Sequence, residues 1–238
     1  MILTAAMFGG KHIIGLLAII ALYVFIYIFV NKKKVPKEKV LLILTITLLA
    51  LEATKLLYMI IRDGTFPMHH LPFHLCSLPL YVYTILAFCK NDKIKEMVKP
   101  AAFAGVLFGG IVAVLYPVNI IGNLETWQVD GDNFLPFISF IFHGAMVFLS
   151  IYIIKSGIYT YKFNRIKDAY IVILAFMVLA MIVNAITGRD FMLLNTGNGS
   201  PLEFLLESGQ LIYTGAMIVL GLIGVLIFHS IGLLIKKK

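Results

Sequence analysis

The sequence predicts an all-α fold: a polytopic membrane bundle of seven transmembrane helices forming one domain over residues 1–238, N-terminus outside and C-terminus inside. Three observations predict it. Of the 238 residues, 61% are hydrophobic and only 13% charged, and mean hydropathy is +0.96; soluble domains are roughly half apolar and a quarter charged. The apolar residues fall into seven runs, six near the roughly 20 residues a helix needs to cross a hydrocarbon core of about 30 Å and the last long enough to be tilted or to end in an interfacial turn. The lysines collect in alternate connections between those runs.

The runs cover about 13–31, 40–61, 71–89, 101–121, 134–154, 169–187 and 204–235. Nothing in MILTAAMFGGKH resembles a basic leader with a cleavage site, so a removable signal peptide is not expected. The second run carries Thr45, Glu52 and Lys55 at spacings of 7 and 3, which puts them on one helix face. The third opens with HHLPFHLCSLPLY, residues 69–81. Pro72 suits the first turn of a helix, where a missing N–H costs nothing, so His69 and His70 are expected outside it at the water interface. His74 then lies one turn inside, sharing a face with Ser77, Tyr81 and Thr84. Cys76 would project about 200° away from His74 around that helix, and it reads as a small apolar filler.

No H-E-x-x-H pattern and no second Cys/His cluster follows, so no metal or other cofactor is expected. The two cysteines, Cys76 and Cys89, do not suggest a disulfide framework. In the fourth run Ala101, Gly105 and Gly109 have the small-xxx-small spacing that lets helices pack closely, and Pro117 and Asn119 mark its far end. The fifth contributes Ser139, His143 and Ser150, and the sixth Asn184. The seventh opens with a stripe of Glu203, Glu207, Gln210 and Thr214.

Connections 32–39, 90–99 and 155–168, with the C-terminal lysines, hold sixteen cations. If seven helices alternate, all sixteen lie on one side. The other side has Lys11, Arg62 and Arg189 beside Asp63, Glu125, Asp130, Asp132, Asp190, Glu203 and Glu207. Short basic loops stay cytoplasmic, which sets the orientation in a multi-pass protein of the cell membrane. The net charge of +8 is thus a topology signal. Membrane lipids are the expected partners and nucleic acid is not; the oligomeric state is not fixed by the sequence.

An ionisable side chain in hydrocarbon costs about 2.5–3.5 kcal/mol and needs a partner or a wet cavity. Glu52, Lys55, His74, Asn184, Glu207 and Gln210 all fall in the outer half, with His143 near the middle and Tyr81 on the His74 face. A polar cavity opening outward or sideways is expected, although Glu52–Lys55 or Lys55–Glu207 pairing would also account for the charges. Imidazoles with an ordinary pKa of about 6.5 suit proton transfer there.

LPFHLCSLPLY resembles the Pro-x-His-Leu-Cys signature of the YwaF-like bacterial integral membrane proteins, and FISFIFHGAMVF, ITGRDFMLLNT and PLEFLLESGQLIYT continue the likeness in order. LESGQLIYT departs from the Gly-Pro-x-Pro-Trp stretch usual in that family. The resemblance implies seven helices and a distant link to animal membrane proteins described as phospholipid acyltransferases, which carry a Cys-His pair after a proline. By this resemblance their histidines fall on His74 and His143 and their cysteine on Phe73, so that either Cys76, Thr45 or Ser77 serves as the nucleophile or this branch is not an acyltransferase. The expected function is a lipid acyltransferase or ester hydrolase in which His74 and His143 act as acid and base. Glu52, Lys55 and Glu207 would orient them or bind a headgroup. The alternative is a proton-coupled transporter or small-solute binding protein, which the lack of an internal repeat disfavours.

Overall fold

A computed structural model describes residues 9–115, 134–196 and 202–235, and among them every regular element is helical. The α-helices are α1 Gly10–Lys32, α2 Lys37–Asp63, α3 Leu78–Phe88, α4 Asp92–Leu115, α5 Phe134–Lys155, α6 Ile166–Thr187 and α7 Gln210–Ile235. Six of these, all but α3, are long and apolar enough to cross a membrane. Helix α3 has 11 residues, a length of about 16 Å.

Three predicted boundaries need correction. The run at 71–89 is helical only from Leu78, after a 3-10 turn at Leu75–Ser77. Pro79, not Pro72, occupies the first helical turn. Leu71 is forced into extended backbone (φ −54°, ψ 145°) by the proline that follows it, and His74 is also extended. His74 is therefore not inside a helix, and the helical angle between it and Cys76 has no meaning. The predicted basic loop 90–99 is instead largely the first turns of α4. They start early because the Asn91 side-chain oxygen accepts from the Lys93 and Ile94 N–H groups. The seventh helix begins at Gln210, because Gly209 at φ 110° separates it from a 3-10 turn over Glu203–Ser208. Glu203, Glu207 and Gln210 are thus not a stripe on one helix. Pro117, Asn119, Glu125, Asp130, Asp132 and the C-terminal lysines lie outside the described residues.

Helix α4 is the centre of the bundle, packing on α3, α5, α6 and α7. Its small residues make this possible. Ala101, Ala102 and Ala104 are fully buried, and a Cβ on Gly105 would stand 2.6 Å from Ile173 of α6 and 3.0 Å from Leu78 of α3. Fully buried Tyr83 donates to the Ala102 carbonyl at 2.8 Å and lies 3.2 Å from Ser150 Oγ, which ties α3, α4 and α5 together. Helix α1 is peripheral. It leans chiefly on α5, where Gly144 admits Ile19 and Tyr23 and the Tyr23 hydroxyl donates to Ile141 O at 2.9 Å.

The basic connections meet at one end of the bundle. Lys37 Nζ donates to Gly157 O at 3.4 Å, Arg165 donates to Glu96 O at 2.7 Å, and the His229 ring on α7 lies 3.1 Å from Phe163 O.

Candidate functional site

A cavity of about 50 Å³ opens between α2, the 3-10 turn before α3, and α5. Helix α2 supplies Leu51, Glu52 and Lys55, the turn supplies Cys76 and Ser77, and α5 supplies Ile138, Ser139, Phe142 and His143. A few waters or one small polar group fill such a volume; an acyl chain does not. The location follows from the chain's local chemistry. Irregular backbone among apolar helices is tolerated where it lines a cavity, and the proline-interrupted, part-buried segment before α3 does so through Cys76 and Ser77.

Glu52 is buried, and its Oε1 lies 2.7 Å from Lys55 Nζ one turn along α2. His143 is 4% exposed. Its Nδ1 lies 2.7 Å from the Ser139 carbonyl and 3.2 Å from Ser139 Oγ. A carbonyl can only accept, so Nδ1 carries the proton and Nε2 keeps its lone pair. Among the described residues that buried Nε2 has no hydrogen-bond partner. The cavity is therefore lined by a tautomer-fixed imidazole, an ion pair, one thiol and two hydroxyls. Among the described residues no group of three or more His, Cys, Asp or Glu is arranged to hold a metal.

The remaining predicted site residues are elsewhere, and they share a purpose. The chain between α6 and α7 makes a tight turn in which Met192 and Leu193 both have left-handed backbone, φ 63° and 55°. Asn184 brackets Phe191, donating to its carbonyl at 3.1 Å and accepting from its N–H at 2.7 Å. His74 Nδ1 accepts from the Met192 N–H at 3.3 Å. Gln210 and Thr214 both donate to Leu194 O. Tyr81 donates to Pro72 O at 2.8 Å, and Thr45 donates to Leu41 O within its own helix. Glu207 is exposed in its 3-10 turn. The cavity beside Glu52 is lined from α2, the turn before α3 and α5. Asn184, Tyr81, His74 and Gln210 satisfy main-chain groups in irregular segments, as buried backbone requires.

His69 is exposed in the 3-10 turn Met68–His70, beside half-buried His70. Burial, reinforced by neighbouring His69 and then Lys55, holds His70 down to about 4, so it is neutral at pH 7 and adds no charge near Lys55. Ser139, read in the sequence only as a polar residue of the fifth run, emerges as the group whose carbonyl fixes the His143 tautomer, and its position four residues earlier on a helix was the available signal. Buried Tyr213, which donates to Leu193 O and Thr196 O, looked like one more aromatic in an apolar run.

An all-helical bundle with six membrane-length helices and a small histidine-bearing cavity defines the class: a multi-pass integral membrane protein. Residues 7–228 match the TMEM164 family, and the chain belongs to that family. No curated protein and no solved structure matches the chain.

Proposed function

We propose that this protein is a membrane enzyme that transfers an acyl group from a lipid ester, with His143 as general base and Cys76 as nucleophile. The observation that carries the reading is the His143 ring. Its Nδ1 is committed to the Ser139 carbonyl, and among the described residues its buried Nε2 lone pair has no partner; the same ring lines the cavity with Cys76 and Ser77. A thiol becomes a strong nucleophile when an adjacent base takes its proton. In the proposed step Nε2 accepts the Cys76 proton and the sulfur attacks the ester carbonyl. The carbonyl–oxygen bond then breaks, and the departing alcohol takes the proton from the imidazolium. A second alcohol, or water, attacks the resulting thioester and regenerates the thiol. Only the ester end of a lipid needs to enter a cavity of this size, while its chains stay in the bilayer. The likeness of LPFHLCSLPLY to YwaF-like proteins supports the same reading, as does the lipid setting of an integral membrane protein. We read α3 and its irregular approach as a seventh crossing, with the basic end cytoplasmic by the rule for short cationic loops.

A proton-coupled transporter is the second reading, favoured by the Glu52–Lys55 pair on the cavity wall. Purified protein in phospholipid vesicles, assayed for fatty-acid release, acyl exchange and solute uptake, separates the two. His143→Ala and Cys76→Ala are each expected to lower acyl turnover by about 10²–10⁴, the usual scale for losing acid–base help, with Ser77→Ala mild. No lipid product from the wild type across a broad substrate screen would sink the enzyme reading. A dead Ser77→Ala with an active Cys76→Ala would move the nucleophile to Ser77.

A further inference from the structure

His74 does not line the cavity, yet it sits two residues from Cys76, which does. Its carbonyl accepts from the Ser77 N–H at 2.8 Å, closing the 3-10 turn that presents both cavity residues. Its ring faces the other way, onto the turn between α6 and α7. There Nδ1 accepts from the Met192 N–H at 3.3 Å, and the Phe191 ring packs edge-on against the His74 and Phe73 rings at 5.1 and 5.6 Å. Met192 and Leu193 are both in left-handed backbone, a conformation that side-chain-bearing residues adopt only when their surroundings impose it. The far side of the turn is held by Asn184 on α6 and by Tyr213 and Thr214 on α7. Its near side is tied to the cavity wall through His74.

We propose that His74 is a positioning residue: a latch between the α6–α7 turn and segment 73–77 that holds Cys76 and Ser77 on the cavity wall. This rests on the proposed function only for the wall's catalytic meaning; the latch itself is visible in thiol reactivity, whatever the protein does. An imidazole whose Nδ1 accepts a main-chain N–H serves the latch, and the Asn side-chain oxygen can stand in for that nitrogen. Leu fills similar space without an acceptor.

The test uses the full chain carrying Cys89→Ser, which leaves Cys76 as its one cysteine. The rate of Cys76 alkylation by N-ethylmaleimide and the amide exchange of peptides covering 190–196 are both measured. His74→Leu strands a buried donor and is expected to raise both rates about tenfold, while His74→Asn returns both toward wild type. Unchanged rates in His74→Leu, a rise in one without the other, or His74→Asn behaving like His74→Leu would each overturn the proposal. If His74→Leu does not fold, the wild type still decides: a Met192 amide exchanging at the speed of an exposed one ends the latch. Failure of the acyl-transfer reading registers separately, as absence of lipid product with these rates intact. A His74→Asn protein that is inactive while its Cys76 reactivity is normal makes His74 a chemical participant instead, and overturns the positioning role.

Discussion

Glu52 and Lys55 show how much can hang on two neighbouring side chains. They are 11% and 25% exposed and joined at 2.7 Å, so each is the other's main compensation for leaving water. Removing one partner of a buried pair costs about 3–5 kcal/mol, whereas replacing both with apolar groups of similar volume is often neutral or stabilising. Glu52→Gln is therefore expected to lower thermal stability clearly, toward the smaller end of that range because Lys55 keeps some solvent. The double variant Glu52→Leu/Lys55→Met should melt near the wild type. Thermal unfolding of the purified protein checks both. The double variant then isolates chemistry from architecture: if it is stable and inactive, the pair serves the cavity, and if it is stable and fully active, the pair only fixes helix register.

Among the helices, α1 offers the sharpest contrast with α4, because one close seam does most of its docking. A Cβ on Gly144 would lie 2.5 Å from Ile19 and 2.8 Å from Tyr23, while a Cβ on Gly215 of α7 meets nothing within 4 Å. Overpacking a tight contact costs about 1–3 kcal/mol, so Gly144→Leu is expected to destabilise by that much and Gly215→Leu to be neutral or better. Equal melting shifts for the two would refute the seam. The same contrast explains what the sequence could disclose. Helices α1, α2, α5 and α6 were legible because unbroken apolar runs leave little choice of structure. The start of α4 was not, because the charged residues from Asp92 to Lys99 hide helical backbone behind a loop-like composition. The segment before α3 misled for a different reason. Pro72 and Pro79 are both compatible with a helix start, and only packing decides between them. At the cavity, Glu52, Lys55, Cys76, Ser77 and His143 were all recognisable as polar or reactive residues. Asn184, His74, Tyr81 and Gln210 looked the same in sequence, yet their partners are main-chain groups, which a sequence does not display.

Across the whole molecule, charge divides one end from the other. Pro36 lies at the basic end and Asn195, exposed, at the opposite one. In a chain with Cys76→Ser and Cys89→Ser, Asn195→Cys is expected to react with a membrane-impermeant thiol reagent in intact cells. Pro36→Cys should react only after permeabilisation. The reverse pattern would overturn the cationic-loop argument for orientation. The central position of α4 has a consequence for how the protein is made. A ribosome releases α1, α2 and α3 before the helix on which α3 packs exists. Those early helices have the contact of α2 with α3, and the packing of α3 on α4 waits until residue 115 has emerged. The cavity waits longer still, because one of its walls is α5. His143 follows Glu52 by about ninety residues, so for much of its synthesis the chain carries the Glu52–Lys55 pair without the α5 wall that faces it in the folded protein.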